Sequence, residues 1–368
     1  MKNELVNNKF YIYGYGEYAK QLLKVLYRIG LKPKAIFDKY KYGEKDIYFG
    51  EISKLSASDL SLDFPILITI LGYPEIEKEL FSLGFMKLIG ATEIFNIFPE
   101  ALKKLVNDKF MWRKQPESFL ITKQDSEKIN DLLTDKKSKE TFKNLILFRK
   151  TGSARYYLNP EDYRMYFPFD ICELYKYKEK RILDIGAYDG DTLTDFFTRY
   201  KDEIKKYICI EANKKNISKL LERINKERKL KYGKIEVIFG AVGIDLNKKN
   251  ILMDDNGSAS SIKNNNPVKI KKEKVPVLDL LKIAKKFKPN IIKMDIEGCD
   301  MSALSQLKDF ISRDLPTLAL SAYHNPKDLW EMPLYLDLIT NGKYYFYYRQ
   351  EGHWGLETQL YAIPKNNE

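Results

Sequence analysis

Asp184, Gly186 and Gly190 are of types, and at a spacing, that could hold a nucleoside. They lie in Arg181-Ile182-Leu183-Asp184-Ile185-Gly186-Ala187-Tyr188-Asp189-Gly190-Asp191-Thr192, a short apolar run that ends in an acid and breaks into two glycines. An apolar-periodic segment, Thr192 to Phe197, follows. The order predicts a strand, a tight turn and a helix. Glycines let the backbone turn sharply and approach a ligand, and a helix start offers free N–H groups. The carboxylate repels a phosphate but suits an amine or a ribose hydroxyl. An adenosine ligand with a charged amino-acid tail therefore fits better than a dinucleotide pyrophosphate. S-adenosylmethionine answers that description.

A second acid strengthens the reading. Lys206-Tyr207-Ile208-Cys209-Ile210 runs into Glu211, roughly 20 residues past the glycines, the spacing at which a second strand brings an acid to a ribose diol. Alone, Glu211 reads equally well as a solvated acid at a strand end. With Asp184 and Gly186 it reads as part of a cofactor site, along with Ala187, Tyr188 and Gly190 of the turn.

The elements that must carry these residues alternate strand and helix from Lys180 onward, the mark of a doubly wound parallel sheet. Strands are expected at Arg181–Asp184, Tyr207–Glu211, Ile235–Phe239 (running into Gly240-Ala241), Asn290–Asp295 and Thr317–His324. Helices are expected at Lys214–Arg228 and Leu278–Phe287, with Val275-Pro276-Val277 as an edge piece. Tyr344–Arg349 and Thr358–Ile363 make a closing pair. Open α/β sheets bind ligands outside the carboxyl ends of their strands. This chain sets Asp184, Glu211, Asp295 and His324 there, and solubility does not explain that placement. The polar loop Asp254–Ser261, with Ser258, builds no core and could order over a ligand.

The rest of the chain reads as two further regions. Residues 1–99 show a strand at Lys9–Gly14, the turn Gly14-Tyr15-Gly16-Glu17-Tyr18-Ala19, and a helix with Leu22, Leu23, Val25, Leu26 and Ile29 as its apolar face. A strand ending in Asp38, another at Pro65–Ile70, and a helix at Glu75–Leu83 follow. This is the first half of a dinucleotide-binding fingerprint in a small Rossmann-like βαβ domain. It either takes a nucleotide or nucleotide sugar, or serves as a scaffold or dimerisation domain. Residues 100–178 form a mostly helical connection, with helices at Glu100–Val106, Ser126–Leu133 and Thr141–Arg149 and a polar break at Asp135–Glu140. The aromatic stretch Thr151–Phe169, with Arg155, Tyr156, Tyr157, Tyr163, Tyr166 and Phe167, reads as packing at a domain junction in preference to a substrate-side wall. Residues 179–368 complete the division.

Composition bounds the partners. The 368 residues suffice for two or three domains, no apolar run approaches a membrane span, and Met1–Asn8 lacks a signal-type apolar region, so a cytoplasmic protein is expected. The three cysteines are far apart and suggest neither a disulfide framework nor a zinc site. The net charge of +12 comes from lysines interleaved with acids. It argues less for nucleic acid than for an anionic substrate such as a phosphate-bearing sugar.

The stretches Leu183–Ala187, Glu211, Phe239–Val242, Ile292-Lys293-Met294-Asp295-Ile296-Glu297-Gly298, Ser321–His324 and Glu357–Ala362 run in order over residues 165–364. In them the chain resembles the FkbM family of S-adenosylmethionine-dependent methyltransferases, within the Class I methyltransferase fold. Lys-x-Asp-x-Glu-Gly is the most specific match. Tyr188 departs from the family, which often has Asn there. The resemblance implies O-methyl transfer to a sugar, a glycan or a related metabolite, hence a small-molecule or glycan partner and no nucleic acid.

Such a transfer needs alignment of the acceptor oxygen and a general base for its proton. Lys293, Asp295 and Glu297 alternate on one face of an extended backbone. Asp295 is expected to take the proton or hold the acceptor, Glu297 to orient the cofactor or a second hydroxyl, and Lys293 to hold an anion or pair Asp295. His324 reads equally well as a base or substrate ligand, acting as a neutral imidazole, and as a hydrogen-bonded structural histidine. Tyr323, Ser258, Arg349 and Glu357 make up the expected acceptor side, with Ala241 on the cofactor side. No metal is assigned; Asp295, Glu297 and Asp300 as magnesium ligands are the less favoured alternative, because a short turn rarely lets all three converge. A base-methylating enzyme would want an Asn/Asp-Pro-Pro-aromatic stretch where this chain has Asp295-Ile296-Glu297-Gly298. An NAD-dependent enzyme or a non-catalytic binding protein, acting through residues 1–99, is the rival reading.

Overall fold

The computed structural model describes residues 5, 7–55, 60–70, 74–98, 121–151, 156–227, 230, 234–254 and 272–365. The chain divides into two compact units, Met1–Phe119 with Asn144–Leu158, and Leu120–Lys143 with Asn159–Glu368.

In the first unit, β1 (Tyr11–Tyr13), β2 (Ala35–Phe37), β5 (Ile66–Ile68) and β6 (Leu88–Ile89) form a parallel sheet in the order β2-β1-β5-β6. A two-residue-per-strand hairpin, β3 (Lys45–Asp46) and β4 (Gly50–Glu51), was not expected from the sequence. Helix α1 (Glu17–Arg28) buries Tyr18, Ala19, Leu22, Leu23 and Leu26. Ile29 lies beyond its end as the C-cap and is exposed, so it does not belong to the apolar face. Helices α2 (Pro74–Ser82) and α3 (Ala91–Ile97) also lie in this unit. The expected helix at 100–106 lies outside the described residues.

The second unit begins with α4 (Lys123–Leu132) and the first half of α5 (Lys136–Thr151). The polar stretch expected to separate two helices is instead the first turn of α5. Asp135 accepts from the Ser138 N–H at 2.6 Å and so caps the helix start.

The main sheet has seven strands: β7 (Lys180–Ile185), β8 (Ile204–Glu211), β9 (Ile235–Phe239), β12 (Ile291–Met294), β13 (Thr317–Ser321), β14 (Tyr344–Gln350) and β15 (Thr358–Pro364). Their spatial order is β14-β15-β13-β12-β7-β8-β9. All neighbours from β13 to β9 run parallel, and β15 runs antiparallel to both β13 and β14. The central strands β12 and β13 are buried along their whole length, as a sheet covered on both faces requires, while the edge strand β9 is only partly buried. The chain order reverses between β7 and β12, and at such a switch point a crevice opens beyond the strand ends.

Around the sheet pack α6 (Asp191–Tyr200), α7 (Lys214–Lys226), α8 (Leu280–Phe287), α9 (Asp300–Gln306), α10 (Lys308–Asp314) and α11 (Asp328–Thr340). Helix α8 starts two residues later than expected because Asp279 accepts from the Lys282 N–H and caps it. β11 (Lys272–Pro276) pairs antiparallel with β10 (Asn250–Asp254), and Val277 forms a parallel bridge with Ala241 just past the edge strand β9, so residues 275–277 do lie at a sheet edge. Helix α11 carries Pro333, which leaves the Leu329 carbonyl without its helical donor, and the Tyr348 hydroxyl donates to that carbonyl at 2.7 Å. The outer edge of β14 is met by the α4–α5 turn. The Thr134 N–H donates to the Phe346 carbonyl, and the Phe346 and Tyr348 N–H groups donate to the Thr134 and Ser138 hydroxyls.

Candidate active site

A cavity of about 470 Å3 opens in the second unit at the carboxyl ends of the central strands. Gly186, Tyr188, Glu211, Ala241, Lys293, Asp295, Glu297, Tyr323 and Glu357 all line it, so most of the sequence-predicted set converges.

Two glycine positions and two strand ends build the cofactor side. Gly186 follows β7 with φ +80, and a Cβ there would sit 1.9 Å from the Asp295 carbonyl oxygen. Only glycine lets β7 and β12 close up at this point. Gly190, also left-handed at φ +83, precedes α6. Ala187 is buried, and Tyr188 is half-exposed with φ +49. Glu211 ends β8 and accepts from the Tyr188 N–H (2.9 Å), the Asn213 N–H (2.8 Å) and the Asn216 amide (3.3 Å). Burial raises its pKa against the pull of those donors.

Asp184 departs from expectation. It is fully buried beneath the cavity and does not line it. One oxygen lies 3.0 Å from Lys293 Nζ, and the other accepts from the Tyr207 hydroxyl at 2.8 Å. Lys293 in turn donates to the Gly186 carbonyl at 2.6 Å. Burial works against its charge, but Asp184 and Asp295 outweigh that and raise its pKa. Lys293 is a buried brace of the glycine turn, paired with Asp184 and unavailable to an anionic substrate.

The acid–base side centres on Asp295, whose side chain keeps 22% of its surface open. Its Oδ2 accepts from the Tyr166 hydroxyl at 2.9 Å, and its Oδ1 lies 3.2 Å from His324 Nε2 and 3.5 Å from the Tyr323 hydroxyl. Burial pushes its pKa up, but His324, Lys293 and Tyr166 together hold it well below the usual carboxylate range. A carboxylate so stabilised is a poor proton acceptor, which counts against Asp295 as the base.

His324 is not the neutral imidazole that the base reading expects. It is 4% exposed and lies behind the cavity wall, with Nδ1 2.9 Å from Asp300. Burial alone would lower its pKa; the carboxylates of Asp295 and Asp300 raise it well above the ordinary histidine value. Strand β13 stops at Ser321, three residues short of the predicted end, and the chain leaves the sheet to make these contacts. Asp300, fully buried, also accepts from the Ile296 and Gly298 N–H groups, so its oxygens are spent within the turn. Among the described residues no group of three or more His, Cys, Asp or Glu is arranged to hold a metal ion.

Glu297, with φ +52, faces the cavity and is 41% exposed. Burial pushes its pKa up to about 7, with His324 pulling down and Asp295 and Asp300 pushing up. Solvent at the open part of the side chain moderates that push. Glu357, also on the wall, is raised by burial and by Asp295.

Arg349, expected on the acceptor side, is 1% exposed and away from the cavity. Its guanidinium donates to Asp170 (3.1 Å), Asp135 (2.7 Å), the Ser138 hydroxyl (3.0 Å) and the Tyr348 carbonyl (2.8 Å). A long hairpin-flanking arginine looked cleft-facing; its partners, distant in sequence, make it a clamp on the α4–α5 turn. Ser258 and Arg155 lie outside the described residues.

Tyr166, expected from the sequence to pack at a domain junction, both packs in the core and lines the cavity. It is fully buried and has φ +70. Its N–H donates to Glu351 at 2.8 Å, which fixes this turn. Arg164 beside it donates to Asp195 and Asp191. The aromatic density of residues 151–169 was the available signal.

The cavity is acidic despite the basic chain. Asp191, Glu211, Asp295, Glu297 and Glu357 line it, and Lys293 is the sole Lys or Arg among its described lining residues. Among the described lining residues a phosphate-bearing ligand finds no free cation.

In the first unit, Asp38 is occupied by its own surroundings. It accepts from the N–H groups of Tyr15 (2.6 Å), Tyr40 (2.8 Å) and Lys41 (2.9 Å). Burial opposes but these donors lower its pKa. The acid expected on a ribose is spent on closing its own turn.

The seven-stranded sheet and its switch-point cavity define a Class I methyltransferase fold. Residues 184–346 match the family described as the Methyltransferase FkbM domain, so the chain carries a methyltransferase domain of the FkbM family. The solved structure of methyltransferase FkbM from Methylobacillus flagellatus KT aligns over 98% of this chain and 93% of its own, with 19% identity and a TM-score of 0.59. Aeropyrum pernix fibrillarin, solved with natively bound S-adenosyl-L-methionine, aligns over 51% of this chain and 68% of its own, with 11% identity and a TM-score of 0.29. No curated protein matches the chain. Among the described residues, no helix is long and apolar enough to cross a membrane.

Proposed function

We propose that the second unit binds S-adenosylmethionine in this cavity and methylates a hydroxyl of a sugar, glycan or glycan precursor, with Glu297 as the general base. The residues suit that cofactor. A cavity of about 470 Å3 falls within the range of small-molecule sites. Glu211 retains acceptor capacity toward a ribose beside the glycine turn, and the acidic wall suits a cation. Bound there, the cofactor supplies an electrophilic methyl group on a sulfonium.

The chain's own residues supply the rest. Paired carboxylates whose environments push their pKa values apart mark an acid–base assignment. Asp295 stays ionised and offers a fixed acceptor to orient the hydroxyl. Glu297, pushed up to about 7, takes the proton as the oxygen gains the methyl group. That carboxylate, open to the cavity beside a permanently ionised neighbour, is the observation that carries the reading. Tyr323 and Glu357 line the acceptor side, and the acids among the described lining residues favour a neutral hydroxyl over a phosphorylated acceptor. His324 and Lys293 act as positioning residues. The first unit, with Asp38 spent on its own turn, is proposed as a scaffold or dimerisation unit.

The test is calorimetric titration with S-adenosylhomocysteine, NAD and a nucleotide sugar, on the wild type and on Glu211→Ala. Binding of S-adenosylhomocysteine that is lost in the variant supports the reading and leads to an acceptor screen on neutral glycosides with Glu297→Gln as the catalytic control. Binding of NAD or the nucleotide sugar alone would overturn it.

A further inference from the structure

The buried charges next to the cavity do not cancel. Lys293 is 4% exposed and paired with Asp184, which is fully buried. His324 is 4% exposed and paired with Asp300, also fully buried. Each buried cation thus has its own buried carboxylate, and each pair is neutral as a unit. Asp295 is a third carboxylate, 3.2 Å from the same His324, so three carboxylates face two cations and one negative charge is left over. Asp295 faces the cavity.

Its position is fixed from several directions. The backbone N–H donates to the Ile185 carbonyl at 2.9 Å, and the carbonyl oxygen occupies the space where a Gly186 side chain would be. The Tyr166 hydroxyl holds one carboxylate oxygen at 2.9 Å. The excess charge is therefore held rigidly against the glycine turn, at the switch point of the sheet. Other cavity acids are compensated differently: Asp191 by Arg164 at 3.2 Å, and Glu211 by its three N–H donors. Burial raises the pKa values of Glu297 and Glu357, and the charge of Asp295 adds to the rise in both.

We infer that Asp295 is a specificity-determining residue that reads the charge of the methyl donor: the cavity holds a cationic sulfonium more tightly than the neutral thioether left after transfer. This rests on the proposal that the cavity takes S-adenosylmethionine, and adds a direction to it. Loss of the methyl group removes the positive charge on sulfur, so the interaction that favours the donor lapses in the product and favours its release.

The test compares two ligands of nearly equal shape on the full chain by calorimetry. Sinefungin carries an amine, protonated at neutral pH, in place of the sulfonium; S-adenosylhomocysteine carries a neutral sulfur. Sinefungin is expected to bind the wild type about tenfold more tightly at low salt, as one partly solvated charge pair allows. The ratio is expected to shrink to within about twofold in Asp295→Asn, with S-adenosylhomocysteine affinity little changed. The wild-type comparison needs no variant to fold. Equal affinities, or tighter S-adenosylhomocysteine, would overturn the inference while leaving the cofactor proposal standing. A ratio that survives in folded Asp295→Asn would overturn the assignment to Asp295. If neither nucleoside binds, the cofactor proposal fails and takes the inference with it.

Discussion

Replacing His324 with leucine removes the buried cation shared by Asp295 and Asp300 and supplies no donor in its place. The pairs are close, 3.2 Å and 2.9 Å. Removing one partner of a buried ion pair costs about 3–5 kcal/mol, because the remaining charge stays buried without compensation. Two features place this case at the lower end. Asp295 keeps 22% of its side chain open to water, and Asp300 retains the Ile296 and Gly298 N–H donors. A loss of about 3 kcal/mol is expected, equivalent to about 6–12 °C in the midpoint of a unit this size. The pH dependence has a definite sign. The folded-state pKa of His324 lies well above its unfolded value of about 6.5, so its stabilisation is complete below about pH 6.5 and is lost as the pH rises through the folded value. The gap between wild type and variant should therefore be widest below about pH 6.5 and narrow steadily as the pH rises above that value. Urea unfolding of the full chain, with each transition fitted separately, measures it. Because His353 is the one other histidine and burial lowers its pKa, side-chain NMR should show one imidazole titrating in acid and one still protonated above neutrality. A loss under about 1 kcal/mol, or two histidines both neutral at pH 7.5, would refute the reasoning.

Further outcomes follow from the same geometry. Gly186→Ala should cost more than about 4 kcal/mol and leave little soluble protein, because the new Cβ meets the Asp295 carbonyl; a urea midpoint near wild type would contradict this. Tyr166→Phe should lose about 1.5–3 kcal/mol in urea unfolding, the usual range for a hydrogen bond to a charged group. Glu297 is a carboxyl with a raised folded pKa, so the protein is stabilised as the pH falls from about 7 toward the unfolded value near 4.3. Glu297→Gln should accordingly raise the melting midpoint at pH 8 and leave it unchanged at pH 4, and differential scanning calorimetry at the two values decides it. Arg349→Met should destabilise by about 3–5 kcal/mol while leaving S-adenosylhomocysteine affinity unchanged, since the guanidinium serves Asp135 and Asp170.

Much of the central sheet is legible in the sequence because its strands are short apolar runs ending in a polar residue, and that pattern follows directly from burial on both faces. Gly186, Glu211 and Asp295 sit where such endings put them. Residues whose roles depend on distant partners were not legible. Arg349 meets Asp170 across 179 residues, and nothing local distinguishes a clamp from a cleft-lining arginine. His324 was read as neutral because its two carboxylates come from a turn 24 and more residues earlier in the chain. Tyr166 adopts a left-handed backbone that tyrosine rarely takes, so no turn rule announces it. Helix α11 was hidden by Pro333 and by an apolar character on nearly all sides, which erases the periodicity that would reveal it.

The position of β15 in the sheet bears on how the second unit folds during synthesis. β15 follows β14 in sequence yet lies between β13 and β14. Until residues 358–364 have left the ribosome, β14 has no strand to join, and the α4–α5 turn that covers its far edge has nothing to cover. A helix pair made early must therefore wait for the strands made last. These contacts span more than 200 residues, and closing so long a loop is slow. In the interval β13 presents an unpaired apolar edge, the kind of surface that invites wrong pairing. Loss of β15 would take a strand from the interior of the sheet, and β14, the α4–α5 turn and the Arg349 clamp would lose their anchorage with it.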